Sequence, residues 1–248
     1  MTYYKLRRKC AISASVLIGL SSIFAFVVYE LPYLTPSLQH TQWWIFLTPE
    51  TWDKNPITKE FGLWENVTAL SYVISFIILV TGAICYSRNS RKPIYIPILF
   101  GCIFFIVAGE EISWGQYFLG FSTPGIMETS NLQGETNLHN LIAHDVNYFA
   151  IILVFWAYIA ISPALSRLNR DVRDLMFRLN IPQPPLILAC TAAFFFLLFS
   201  ADLILGKWEH YLFSMREIRE LILALAILGT AIDWLLEQSA LRRARQQS

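Results

Sequence analysis

Residues 63–86 read LWENVTALSYVISFIILVTGAICY, with a single carboxylate, Glu65, near the start and no other charged side chain. A helix needs about 20 apolar residues to cross a hydrocarbon core about 30 Å thick. This stretch has them and reads as a transmembrane helix. A polar stripe at Glu65, Thr68, Tyr72 and Ser75 follows the helical period, which predicts that this face meets other helices rather than lipid.

The rest of the chain agrees. Of its 248 residues, 55% are hydrophobic and 15% charged, with a mean hydropathy of +0.47, whereas soluble domains average about 45–50% and about 25%. A net charge of +1 and four cysteines exclude a nucleic-acid binder built on a basic surface, a disordered chain and a disulfide scaffold. Six segments qualify as spans: residues 11–29, 63–86, 94–115, 146–165, 185–205 and 214–236. The expected fold is an all-α integral membrane protein, a bundle of about six transmembrane helices forming one domain over residues 1–248. The first segment has a basic start, KLRRK, but no small-residue cleavage site follows it, so it reads as a retained helix rather than a signal peptide.

Basic residues set the orientation. With the N-terminus inside, the inner segments hold Lys5, Arg7, Arg8, Lys9, Arg88, Arg91, Lys92, Arg167, Arg170, Arg173, Arg178, Arg242, Arg243 and Arg245. These are 14 of the 19 Lys and Arg residues, the asymmetry of the positive-inside rule. Both termini are expected in the cytoplasm of a multi-pass protein of the cell (inner) membrane. The inner stretch SRLNRDVRDLMFRLNIPQPP places basic and apolar residues at helical spacing and predicts a short helix lying on the anionic leaflet.

Carboxylates concentrate at the opposite, outer end. Glu110 and Glu111 follow Lys92 by 18 and 19 residues, about 27–29 Å along a helix that has barely left the hydrocarbon. Only 12 residues separate Glu220 from Asp233, too few to cross, so Glu217 and Glu220 are drawn toward the membrane. Glu65 and Asp202 fall at the same depth on two further helices. Carboxylates placed there face a cavity or a partner, and a functional site is the default reading.

The loop after the third span runs GEEISWGQYFLGFSTPGIMETSNLQGETNLHNLIAHDVN, without a Lys or Arg. Its aromatic and Leu residues supply enough apolar surface to fold back over the helix ends as a cap. Gln116, Gln133, Glu135 and Asn137 are its candidate substrate-contacting residues, together with Glu65, Trp114 and Glu220 around it. His139 is a candidate general base or ligand. Glu111, His139 and Glu217 form the candidate set for a divalent metal ion, because carboxylates with one imidazole suit a hard or borderline cation. Paired carboxylates such as Glu110 and Glu111 can also split their proton affinities into acid and base roles. The plainer alternative makes these acids ion-pair partners of Arg216 and Arg219. The outer tryptophans, Trp114 among them, also read as an interfacial aromatic belt.

No HExxH, GxSxG, Walker or GxGxxG motif occurs. The runs GEEISWGQ and QGETNLHN resemble signature stretches of a family of uncharacterised polytopic bacterial membrane proteins, which implies a multi-pass fold and carries no activity with it. A fainter likeness is to the alkaline ceramidase type of intramembrane hydrolase, in which a Glu opens an early helix, a Ser lies on a middle helix and histidines bind zinc. Glu65 and Ser113 match the first two in order, which implies a catalytic role for Ser113. Where that family has paired histidines on its closing helix, this chain has Glu217 and Glu220.

The leading expectation is a metal-dependent hydrolase or transferase of the outer leaflet, with Glu110, Glu111, Ser113 and His139 as catalytic residues and a membrane lipid or lipid-linked molecule as substrate. The second is a non-catalytic partner or scaffold for another membrane protein. The third, a cation or proton transporter, lacks a polar path in the inner halves of the spans beyond Ser75, Thr81, Thr191 and Asp233.

Overall fold

The computed structural model of the chain describes residues 3–25, 63–87, 92–125, 127, 136, 153, 156–199 and 212–246. Among these the regular structure is helical throughout, with no strand. In chain order the helices are α1 (Tyr3–Ala25), α2 (Leu63–Ser87), α3 (Tyr95–Glu111), the short α4 (Gln116–Leu119), α5 (Ser162–Leu168) entered through a π-turn at Ala157–Ile161, α6 (Arg170–Arg178), α7 (Leu186–Phe199) and α8 (Leu212–Gln246). The segment Glu65–Tyr86 is long and apolar enough to cross a membrane, and Leu186–Leu198 is a shorter apolar helix; no other described helix passes that test.

Helix α8 is the axis of the molecule. From Ile218 to Trp234 nearly every side chain is buried, on all sides of the helix, because α1, α2 and α7 all pack against it. The run ILALAILGTA explains how three neighbours fit: alternating small residues let backbones approach closely. At Gly229 the crossing is tightest, since a Cβ there would lie 2.7 Å from Leu188 Cδ2 of α7 and 3.1 Å from Ala14 Cβ of α1. Helix α3 packs on the far side of α2, with Tyr72 stacked on Phe104 and Phe76 against Phe105.

The polar stripe of α2 turns inward as its spacing predicts: Thr68, Tyr72 and Ser75 are all buried. Ser75 donates to Ser71 O and Ser71 to Val67 O, each at 2.7 Å. Thr81 and Thr191, on outward-facing surfaces, likewise donate to the carbonyl four residues back, as do Ser22 and Thr230 in the interior. A hydroxyl that bonds its own helix needs no water.

Boundaries differ from the sequence expectation at three places. The expected first span, residues 11–29, belongs to a helix that begins at Tyr3 and takes in the basic start. Residues 214–236 sit within the longer α8, which continues through Arg242 and Arg243. The third span ends at Glu111 rather than at residue 115, because the chain turns left-handed at Ser113, Trp114 and Gly115 and leaves the helix axis.

The stretch between α5 and α7 is built by two asparagines. Asn169 caps α6, its Oδ1 accepting from the backbone N–H of Asp171 and Val172. Asn180 ends α6 in a Schellman turn: Ile181 N donates to Met176 O and Asn180 N to Phe177 O, with Asn180 at φ 56°. Its side chain is buried and accepts from Trp234 Nε1 (3.2 Å) and Gln238 Nε2 (3.1 Å), while its Nδ2 donates to Pro93 O. One residue thus ties the α6–α7 turn to α8 and to the start of α3.

Candidate functional site

Helix register decides which of the expected site residues share an end of the bundle. Gly82 of α2 packs against Trp234 of α8. Glu65 precedes Gly82 by as many residues as Glu217 precedes Trp234, so the first turn of α2 lies level with the part of α8 that carries Glu217 and Glu220. The Tyr72–Phe104 contact, together with the packing of Gly101 against Phe76 and Val80, fixes α3 antiparallel to α2. In that register Glu110 and Glu111 fall level with the Glu65–Thr68 turn. Glu65, Glu110, Glu111 and Glu220 therefore belong to one layer, as their spacing from the basic segments predicts.

The turn that follows α3 is shaped by three successive positive φ angles: 44° at Ser113, 55° at Trp114 and 80° at Gly115. Left-handed backbone costs a non-glycine residue about 1–2 kcal/mol, so Ser113 and Trp114 are held there by their surroundings. Ser113 is buried at 1% exposure. The Trp114 ring folds back onto the last turn of α3, and its indole Nε1 donates to Glu110 Oε1 at 2.7 Å. That fold-back depends on Gly109: a Cβ there would lie 2.8 Å from two carbons of the indole.

Gln116 secures the beginning of the loop. Its Nε2 donates to Thr123 Oγ1 at 2.8 Å, and its Oε1 accepts from Thr136 N at 2.8 Å. The chain therefore returns to Gln116 at Thr136. Gln116 was expected to contact substrate; its amide is engaged at both ends in holding this loop.

Among the other expected residues, His139, Gln133, Glu135 and Asn137 lie outside the described residues, and Glu217 is described only as part of the α8 backbone. No group of three or more His, Cys, Asp or Glu side chains that could hold a metal ion occurs among the described residues. A metal set drawn from Glu111, His139 and Glu217 thus has one described member. Arg219, the expected ion-pair partner of these acids, is buried at 2% exposure.

Three features had no place in the sequence reading. Asp233, assigned to the inner half of the last helix, is gripped by Arg7 through two bonds, Nε to Oδ1 at 2.7 Å and Nη2 to Oδ2 at 2.6 Å. The signal was present as a lone acid in an apolar run with a basic segment at the same depth. The Asn180 junction was signalled by Asn before Ile-Pro, since Asn tolerates left-handed backbone. A left-handed Ser113-Trp114 pair has no composition cue, because neither residue type favours it.

Comparison with protein-family models, with curated proteins and with solved structures finds no match to this chain.

Proposed function

We propose that the protein is a multi-pass helical protein of the cell membrane, with about six spans and both termini cytoplasmic. In this reading its outer end carries an enzyme site that acts on a lipid or lipid-linked substrate as a hydrolase or transferase. The membrane part is supported by what the helices present to the outside. Leu70, Ile77 and Ile84 on α2, Leu99 and Phe105 on α3, Leu17 and Leu20 on α1, and Phe194 and Leu197 on α7 are all exposed. Buried positions, by contrast, hold Thr68, Ser71, Ser75 and Asp233. Water penalises such an arrangement and lipid does not.

The observation that carries the enzyme reading is the left-handed turn directly after Glu110 and Glu111. Strained backbone persists where the surroundings over-determine it, and such places cluster at active sites. Here the strain fixes Trp114 on Glu110, so that carboxylate is held as an oriented acceptor beside the buried Ser113. Glu111 follows it at the helix end, within the layer of Glu65 and Glu220. A divalent cation held by Glu111 with His139 and Glu217 would polarise a phosphoryl or acyl oxygen of the substrate. The residues of the chain supply orientation and a carboxylate to accept a proton, and Gln116 holds Thr123 and Thr136 beside the end of α3.

A second reading, a non-catalytic partner for another membrane protein, is favoured by one observation: Glu110 and Gln116 both bond within their own loop, as purely structural residues do. Elemental analysis of detergent-purified protein separates the two. The enzyme reading expects a divalent metal near stoichiometry, and expects Glu111→Gln to lose it without lowering the melting temperature. A metal-free protein that stays folded in chelator, with a Glu111→Gln variant that melts well below the parent, would sink the enzyme reading.

A further inference from the structure

The described residues enclose a cavity of about 310 Å³ at the opposite end of the bundle from Glu110, under the turn that joins α6 to α7. Its walls come from the start of α1, the residues before α3, α5, α6 and the second half of α8. Four cations line it, Arg7, Lys92, Arg167 and Arg173, against one acid, Glu237. Arg7 is bound to Asp233, which is not part of the lining. The Nζ of Lys92 sits 3.2 Å above the centre of the Phe177 ring. Arg173 reaches Asp174 at 3.5 Å, but both side chains are more than half exposed, and such a pair holds little energy. Arg167 makes no hydrogen bond or ion pair among the described residues.

One further group has no partner on the protein. Gln183 accepts Ser166 Oγ at its Oε1, 3.0 Å away, and its buried Nε2 has no acceptor among the described residues. The cavity therefore combines surplus positive charge with a buried donor lacking an acceptor, and the group that satisfies both is an oxyanion. Its source follows from the surroundings. Helix α6, whose Arg173 and Phe177 line the cavity, exposes Leu175 and Phe177 together with Arg170 and Arg178, the composition of a helix seated among lipid headgroups. Basic pockets between helices on the cytoplasmic side are where anionic headgroups bind.

We infer that this cavity binds the phosphate of an anionic phospholipid headgroup from the inner leaflet, with Arg167, Arg173 and the Gln183 amide as its donors. The inference rests on the membrane part of the proposed function and not on the outer site.

The test uses the full chain in nanodiscs, which expose both faces, so binding is read whichever way the protein inserts and whatever the outer site does. Thermal stabilisation is titrated with phosphatidylglycerol in a phosphatidylcholine background, and separately with inorganic phosphate in phosphatidylcholine alone. Phosphatidylglycerol should stabilise the protein and inorganic phosphate should not. In the Arg167→Gln/Arg173→Gln double variant, altered only at exposed positions, apparent affinity for the lipid should fall about thirtyfold, at about 1 kcal/mol per lost charge. The control is Arg170→Gln/Arg178→Gln, which removes the same charge from the same surface outside the cavity and should lose far less. Equal loss in both doubles reduces the effect to surface attraction and overturns the site. Stabilisation by inorganic phosphate to the same extent overturns the lipid source, and no shift with either ligand overturns the inference outright.

Discussion

Arg7 and Asp233 meet through two parallel hydrogen bonds of 2.7 and 2.6 Å, and the carboxylate end of this pair is buried while the guanidinium is one-third exposed. The pair joins the first described helix to the last, 226 residues apart in sequence. Removing the cation strands a carboxylate in the interior, for which breaking a buried pair costs about 3–5 kcal/mol. Removing the acid leaves an arginine that can turn toward water, at about 1–2 kcal/mol. Arg7→Gln should therefore lower the melting temperature much more than Asp233→Asn, and in the double variant the two losses should not add. Equal losses, or an Arg7→Gln protein that melts like the parent, would show that the pair does not hold α1 to α8.

Asn180 carries two separable contributions, its left-handed backbone and its side-chain bonds to Trp234 and Gln238. Asn180→Gly keeps the first and loses the second, leaving a buried indole N–H and a buried amide without an acceptor, at about 1–3 kcal/mol each. Asn180→Ala loses both and should be less stable than the glycine variant by a further 1 kcal/mol or so, about the left-handed penalty for a residue with a Cβ. Chemical denaturation of the three proteins reads this order. If alanine and glycine prove equal, the Schellman turn does not persist in the variants.

The turn after α3 gives two substitutions of opposite sign. Gly109→Ala drives a methyl into the Trp114 indole and should cost about 1–3 kcal/mol, as overpacking does. Trp114→Leu in the same chain should recover part of that loss, because the clash disappears with the ring. Ser113→Gly relieves a positive φ and should stabilise by about 1 kcal/mol or less. Loss of metal or of lipid turnover in that more stable protein would place Ser113, by its hydroxyl or its backbone, in the outer site. A Gly109→Ala variant as stable as the parent would mean the indole does not rest on α3.

How far the fold was legible depended on whether a signal was local. The α2 stripe at Thr68, Tyr72 and Ser75 was read from period alone, because burial of polar side chains against neighbours follows from helix geometry. The layering of Glu65, Glu110 and Glu111 was readable from residue counts, since a helix rises by a fixed amount per residue. The central position of α8 was not, because an apolar helix buried on all sides and one facing lipid have the same composition. That Asp233 needed a cation at its depth was legible, but which cation it meets and the cavity under Asn180 were not, as each depends on contacts between segments far apart in the chain. The end of α3 was misplaced by four residues for another reason: Ser113 and Trp114 adopt a conformation that only their tertiary surroundings impose.

Orientation is the expectation on which both sites depend, and the structure adds to its grounds. Arg7 is bound to Asp233, Lys92 lies over Phe177, Arg242 lies 5.8 Å from the Tyr86 ring, and Arg167 and Arg173 line the same cavity as Arg7 and Lys92. Cations from four separate basic segments thus gather at one end of the bundle, while Glu65, Glu110 and Glu111 share the other. In the proposed membrane reading, the positive-inside rule predicts the first end in the cytoplasm. A reporter fused after Ser248 should be active only as a cytoplasmic fusion. With Cys10, Cys85, Cys102 and Cys190 replaced, a single cysteine at the exposed Ser122 should react with an impermeant thiol reagent added to intact cells, and one at the exposed Arg170 should react only after lysis. The reverse pattern would put the carboxylate layer inside and the basic cavity outside. Labelling of both positions in intact cells would mean that no membrane separates the two ends, and the exposed leucines and phenylalanines of α1, α2, α3 and α7 would then need a protein partner to cover them.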